Sequence, residues 1–170
     1  MINRILITGG RGGLGSASVD YFNERKYYPI ILQSDITSEK IKEEIEKIEP
    51  EIIIHLAAAV GTKDCEELPK WAIRTNVEGT YNVVEVAKKI GSKFVYFSTT
   101  AIHKPGVEPI REDSKIEPYT IYGKTKYWGE QIAKQYIPKK NLLVVRPCFG
   151  FGGRTDVSQL GALIRSSYTG

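Results

Sequence analysis

Tyr122 and Lys126 stand four residues apart in the run YGKTK. On a helix that spacing puts both side chains on one face. A free phenol titrates at ~10, too high to exchange a proton at neutral pH. A neighbouring ammonium favours the phenolate and lowers that value. Such a pair has the chemistry to move a proton to or from a hydroxyl or carbonyl while hydride moves to or from a nicotinamide. Taken alone, the spacing is common on solvated helix surfaces. It gains meaning from Ser98 and Thr99, which close the apolar run FVYFS of residues 94–98. A hydroxyl placed there would hydrogen-bond the reacting oxygen beside Tyr122, with adjacent Thr100 as the competitor. The alternative is a hydroxyl that only caps a strand end.

A second constellation lies near the start of the chain. Gly9, Gly12 and Gly15 recur at every third position in TGGRGGLG, residues 8–15. The run follows a short apolar stretch and opens a helical one. That context suits a loop that turns tightly, brings backbone N–H groups to a pyrophosphate and packs helix against strand. Gly9, Gly10, Arg11, Gly12, Gly13, Leu14 and Gly15 are therefore candidate cofactor contacts, with a purely structural turn as the bland alternative. The second apolar run ends in Gln33, Ser34, Asp35 and Ile36. An acid at such a strand end would bond both ribose hydroxyls and repel a 2′-phosphate. Gln33, which occupies that place, is neutral, and Asp35 sits two residues further on, where it would serve the adenine edge. Arg11 has the planar fork to reach a 2′-phosphate; a solvated surface charge is the other reading. The balance leans slightly to NADP over NAD.

These residues need strand ends and helix starts to hold them, and the chain supplies both in alternation. Residues 4–8, 29–33, 52–56, 94–98 and 142–146 read as five short buried strands. Helical spacing fills 14–24, 37–49, 69–90 and 119–136, and 157–168 reads as a final helix. Pro50 closes the second helix and Gly91 the third. Residues 101–118, rich in Pro, Gly and charge, read as a loop. Apolar strands alternating with helices predict an α/β fold, a Rossmann-type doubly wound parallel sheet in the order 2-1-3-4-5. Residues 1–150 would form the dinucleotide-binding domain. Ligands in such sheets bind beyond the carboxyl ends of the strands, which is where the candidate residues fall.

Composition narrows the class. The chain has 170 residues, 41% of them hydrophobic, and a net charge of +4 spread along its length. Neither a nucleic-acid arm nor a membrane segment is expected. Cys65 and Cys148 lie far apart and outside any CxxC pattern, so no metal site and no disulfide are expected, and the setting is read as cytoplasmic.

Together the pieces TGGRGGLG, HLAA (55–58), TNVEGTYNVVEVAKK (75–89), FVYFST (94–99), YGKTK with GE soon after (122–130) and RPCFGFG (146–152) resemble the extended short-chain dehydrogenase/reductase family of the NAD-dependent epimerase/dehydratase type. They follow the family's order over nearly the whole chain. Within the family the pattern is most similar to the dTDP-4-dehydrorhamnose reductases. An arginine in the place of Arg11 is also similar to that of the NADPH-using GDP-L-fucose synthases.

The resemblance implies Tyr122 as acid/base, Lys126 as its partner and ribose clamp, and Thr99 as the catalytic hydroxyl. It implies that Leu56, Ala57, Ala58 and Ala59 line the cofactor, that Pro147 and Phe149 flank the nicotinamide, and that Asn76 is structural or touches the cofactor indirectly. The implied partner is a nucleotide-sugar substrate, and the implied reaction is reduction of a 4-keto sugar, with epimerisation and dehydration drawing on the same residues.

Thr100-Ala101-Ile102-His103 departs from the rhamnose reductase pattern, and His103 is expected to be a solvated loop residue. Homodimerisation through the helices of residues 69–90 and 119–136 is also implied, with Val84, Ala87, Tyr127 and Trp128 as candidates for an apolar face. Family members are longer. Residues 151–170 are read as the start of a truncated substrate lobe, and a non-catalytic dinucleotide-binding module or truncated remnant is the alternative function.

Overall fold

The computed structural model describes residues 4–106 and 109–148. Five strands, β1 (Ile5–Thr8), β2 (Ile30–Ile31), β3 (Ile52–His55), β4 (Lys93–Phe97) and β5 (Leu142–Val145), form one parallel sheet in the order β2-β1-β3-β4-β5. The order is the expected one, and the fold is the expected Rossmann-type α/β architecture. Leu6, Ile53, Phe94 and Leu142 align in one cross-strand row. Because strand side chains alternate between faces, that row points into the larger core, while Ile5, Ile7 and Ile54 point into a smaller one. Helix α1 (Gly13–Glu24) covers the smaller core through Val19 and Phe22.

The larger core is closed by α2 (Lys40–Ile48), α5 (Thr80–Ile90) and α6 (Ile121–Tyr136). In α2, Ile41 and Ile45 are fully buried one turn apart. The helix ends at Glu49 in the left-handed region, φ 46°, just before Pro50. Helix α5 ends at Gly91, φ 76°, where the Ser92 N–H donates to the Ala87 carbonyl at 3.0 Å. Val84 and Ala87 are both 0% exposed within this core. They therefore do not form the apolar outer face expected of them; on α6, Tyr127 is half-buried and Trp128 exposed.

Three elements differ from the sequence expectation. The single long helix of residues 69–90 is three pieces: α4 (Pro69–Ile73), a π-helical segment (Arg74–Gly79) and α5. A π-turn inserts one residue into the helical ladder, and a pattern of apolar spacing does not reveal it. A short helix α3 (Thr62–Glu67) precedes them, too brief to carry a periodic signal. Strand β2 is only two residues long. The chain enters it through Lys26 and Tyr28, both at positive φ, although Leu32 still donates to the Ile7 carbonyl at 3.0 Å. A 3₁₀ turn (Thr100–Ile102) and a bridge between His103 and Ile116 give the loop after β4 local order. The final helix and the lobe read into residues 151–170 lie outside the described residues. No helix among those described is long and apolar enough to cross a membrane.

Candidate functional site

The loop after β1 is shaped by close approach. Gly9 has φ 69°, and a Cβ there would stand 2.6 Å from the Ala57 N, on the loop that follows β3. A Cβ on Gly15 would collide with the Gly9 carbonyl oxygen. Helix α1 opens on Gly12 with no side-chain cap. Its first-turn N–H groups are therefore left for a partner that is not a capping side chain. A glycine cradle feeding an uncapped 12-residue helix fits the pyrophosphate of a dinucleotide.

At the end of β2 the structure brings Arg11 and Gln33 together. The Arg11 guanidinium donates to the Gln33 side-chain oxygen, and the Gln33 amide nitrogen donates to the Ile31 carbonyl at 2.9 Å. Asp35 is engaged locally: its Oδ1 accepts from the Thr37 N–H at 2.8 Å and hydroxyl at 2.9 Å, forming the turn that leads to α2. The Ile36 side chain is buried in the large core, and its carbonyl accepts from Asn82 at 3.0 Å. Glu44, on α2, was not singled out from sequence. Its carboxylate oxygens accept from the backbone N–H of Gln33 at 2.9 Å and of Ser34 at 3.1 Å. Burial works to raise its pKa, but the Ser34 hydroxyl and then the backbone N–H groups of Gln33 and Ser34 outweigh it and hold the carboxyl below its ordinary range.

The loop after β3 carries Leu56, Ala57, Ala58 and Ala59. Asn76 holds it: Oδ1 accepts from the Ala59 N–H at 2.8 Å, while Nδ2 donates to the Ala59 carbonyl and to the Thr125 hydroxyl, both at 3.0 Å. Asn76, on the π-helical segment, is thus buried and joins the loop after β3 to α6. His55 closes β3 with Nδ1 on the Thr8 hydroxyl at 2.9 Å and Nε2 on the Thr80 hydroxyl at 3.1 Å. Burial, and then the Lys126 charge, push this imidazole down to about 3, so it is neutral near pH 7.

Helix α6 is placed by its first turn. Thr120 accepts from the Gly123 N–H at 3.0 Å, and Glu66 of α3 accepts from the Ile121 N–H at 2.7 Å. Tyr122 then packs on Ala59, Cys65 and Ala72. Burial raises its phenol pKa, a hydrogen bond with Thr99 lowers it, and the Cys65 thiol raises it again. Thr99, rather than Thr100, is the hydroxyl beside the phenol, and it also accepts from the Ala101 N–H at 3.1 Å. Lys126 is 3% exposed, with its Nζ 4.6 Å from the centre of the Tyr96 ring. Burial pushes it down to about 7 against the opposing pull of Glu130. Burial prevails at Tyr122, whose phenol stands above its ordinary value, with Lys126 one helical turn further along α6.

Glu130 was also missed as a functional side chain, although its spacing of four from Lys126 was available. Its buried carboxylate accepts from Arg146 Nη2 at 2.6 Å and Nε at 3.1 Å, and from Lys134 at 2.6 Å. Burial opposes ionisation, but Arg146 and Lys134 prevail and hold it at about 2. The Pro147 carbonyl accepts from the Thr100 N–H at 3.2 Å, which ties the end of β5 to the Thr99 turn. Phe149 lies outside the described residues. His103 is 4% exposed, not solvated, because the bridge to Ile116 folds the loop over it. Its Nδ1 donates to the Lys115 carbonyl at 3.0 Å, and its Nε2 has no hydrogen-bond partner among the described residues. No cluster suited to a metal ion occurs among the described residues.

Residues 3–166 match the model of the RmlD substrate binding domain family. The chain is 31% identical over 153 residues to a candidate UDP-glucose 4-epimerase of Methanocaldococcus jannaschii, covering 78% of this chain and 50% of that protein. It is 32% identical over 143 residues to the methionine adenosyltransferase 2 subunit beta of Xenopus laevis, covering 78% and 43%. The crystal structure of Bacillus anthracis dTDP-4-dehydrorhamnose reductase in complex with NADP superposes with a TM-score of 0.85 at 28% identity, over 100% of this chain and 61% of that one. The chain thus spans about two to three fifths of the length of these relatives.

Proposed function

The chain belongs to the RmlD substrate binding domain family, and from that membership we propose that it is an NAD(P)-dependent oxidoreductase or epimerase acting on a nucleotide-linked sugar, with reduction of a 4-keto sugar as its leading reaction. The observation that carries the reading is the placing of Thr99, at the end of β4, beside Tyr122 on α6, one helical turn from Lys126. A module that only bound a dinucleotide would have no need of that pairing. The similarity to an NADP-bound dTDP-4-dehydrorhamnose reductase supports the choice of reaction.

The dinucleotide, when bound along Gly9–Gly15 and the ends of β1–β3, supplies or accepts hydride at the nicotinamide. Tyr122 holds the proton that the sugar oxygen exchanges. Thr99 donates a hydrogen bond to the same oxygen and fixes its distance from the phenol. Lys126, held at about 7, titrates near neutrality, so small changes in its surroundings switch the charge it presents to Tyr122 and to the ribose. Leu56–Ala59 and Pro147 would wall the cofactor. At the ribose, the Arg11–Gln33 pair offers a guanidinium and no strand-end acid, which supports NADP over NAD.

A fluorescence titration of the purified chain with NADPH and with NADH tests the cofactor reading. Saturable binding of either is expected, and binding of neither overturns it. Tyr122→Phe is expected to keep cofactor affinity and lose turnover of dTDP- and UDP-linked 4-keto sugars. Turnover that survives the change refutes the assigned mechanism. A second reading, a dinucleotide-binding module without catalysis, is favoured by the 32% identity to a relative named as a subunit of a methionine adenosyltransferase. Under that reading the cofactor binds and no sugar nucleotide turns over.

A further inference from the structure

The end of β2 holds two opposed charges, and only one was foreseen. Arg11 reaches Gln33 from the glycine loop, on the α1 side of the strand end. Glu44 reaches the same residue from α2, taking the N–H groups of Gln33 and Ser34 on its two oxygens at 2.9 and 3.1 Å. Two consequences follow for a ribose seated over this turn. The two backbone donors are turned toward the carboxylate, so they are withheld from a 2′-phosphate. The carboxylate itself is ionised and only partly buried, so its negative charge opposes a second anion nearby. Gln33, with its oxygen on Arg11 and its nitrogen on Ile31, is satisfied within the chain and is neutral toward either ribose.

Resting on the cofactor reading above, we infer that Glu44 is a specificity-determining residue of the dinucleotide site: from beneath the ribose turn it holds the 2′ subsite toward a hydroxyl, against the pull of Arg11 toward a phosphate. The acid absent from the strand end is thereby supplied from the following helix. It acts on the ribose through the peptide groups it orders and through its charge, without touching the ligand, so it is a positioning residue.

Glu44→Gln removes the charge and presents an amide N–H₂ to one of the two backbone N–H groups, releasing that donor. Glu44→Ala releases both, at a partly buried helical position that alanine tolerates. The measurement is the ratio of dissociation constants for NADPH and NADH, with ADP-ribose and its 2′-phosphate as probes of the adenosine half alone. Both variants are expected to move the ratio toward the 2′-phosphorylated ligands by about fivefold, the scale of one charge removed near a protein surface. A loosened turn would weaken both ligands together and leave the ratio where it was. A ratio that is unchanged, or that moves toward NADH, overturns the assignment of Glu44 while leaving the cofactor reading intact. Failure of the unmodified chain to bind any of the four ligands overturns the cofactor reading, and this inference with it.

Discussion

Gly15 sits where a methyl group would press on the Gly9 carbonyl oxygen, and the residue opens a helix whose first turn has no cap. Gly15→Ala should therefore push α1 away from the β1 loop and abolish dinucleotide binding, at a stability cost of about 1–3 kcal/mol. Cofactor titration together with urea unfolding checks both parts; unaltered affinity would mean that the cradle is not the binding element. His103 presents the opposite case. Its Nδ1–H donates to the Lys115 carbonyl, and its buried Nε2 meets no hydrogen-bond partner among the described residues. An unsatisfied buried group costs roughly 1–3 kcal/mol. His103→Phe is expected to raise stability in urea by about 1 kcal/mol, and a loss of stability would show that the imidazole is structurally satisfied. At this scale the sequence was readable where a residue type has few uses. The glycine run stands between β1 and α1, and Thr99 closes β4 beside Tyr122. Glu44, Glu130 and the burial of His103 did not announce themselves, because a carboxylate or imidazole in a polar stretch reads as solvated until the fold shows what faces it.

Helix α6 carries Tyr122 and Lys126, and Glu130 one turn further on fastens it to β5. The Glu130 side chain is fully buried against Arg146, itself 19% exposed, and Lys134, 44% exposed. Removing one member of a buried pair leaves the other uncompensated, at about 3–5 kcal/mol. Lys134 retains access to water, so the lower end applies. Glu130→Ala should cost about 3 kcal/mol in chemical denaturation, with Lys134→Ala costing under ~1 kcal/mol because its partner keeps Arg146. Equal costs for the two would place the stabilisation in Lys134 and not in the Arg146 fork. Element types and the strand order were legible from alternating apolar runs, since each strand face and helix stripe must be buried. What escaped was the interruption of the helix at Arg74–Gly79. Apolar residues keep a helical spacing across it, while the bulge is set by Asn76 reaching the Ala59 backbone, a contact between segments that no local pattern encodes.

The buried ionisable groups around the end of the sheet give the whole molecule a pH dependence of predictable sign. Glu130 is ionised down to about 2 in the fold against an ordinary 4.5, so the stability it confers is present above 4.5 and is lost as pH falls toward 2. His55 is held at about 3 against 6.5; the unfolded chain binds its proton first, and stability falls as pH drops from 6.5 to 3. Lys126 is held at about 7 against 10.5. Between those values the unfolded chain carries a proton that the folded chain has released, so stability rises with pH across the interval. The raised phenols of Tyr96 and Tyr122 reverse the trend at higher pH, where the fold retains protons that the unfolded chain gives up. Stability should therefore peak on the alkaline side of neutrality, between about 8 and 10, where a typical domain peaks between ~5 and 8. Urea unfolding across pH 5 to 11 locates the maximum. Lys126→Met, which keeps the length of the side chain and drops the ammonium, should flatten the rise between 7 and 10 and leave the acid limb from His55 and Glu130 in place. A peak at pH 6 in the unmodified chain, or a rise that survives in the variant, would mean that Lys126 keeps its proton in the fold. In that case it stands as a permanent cation over Tyr96, and its charge would no longer switch near neutrality beside Tyr122.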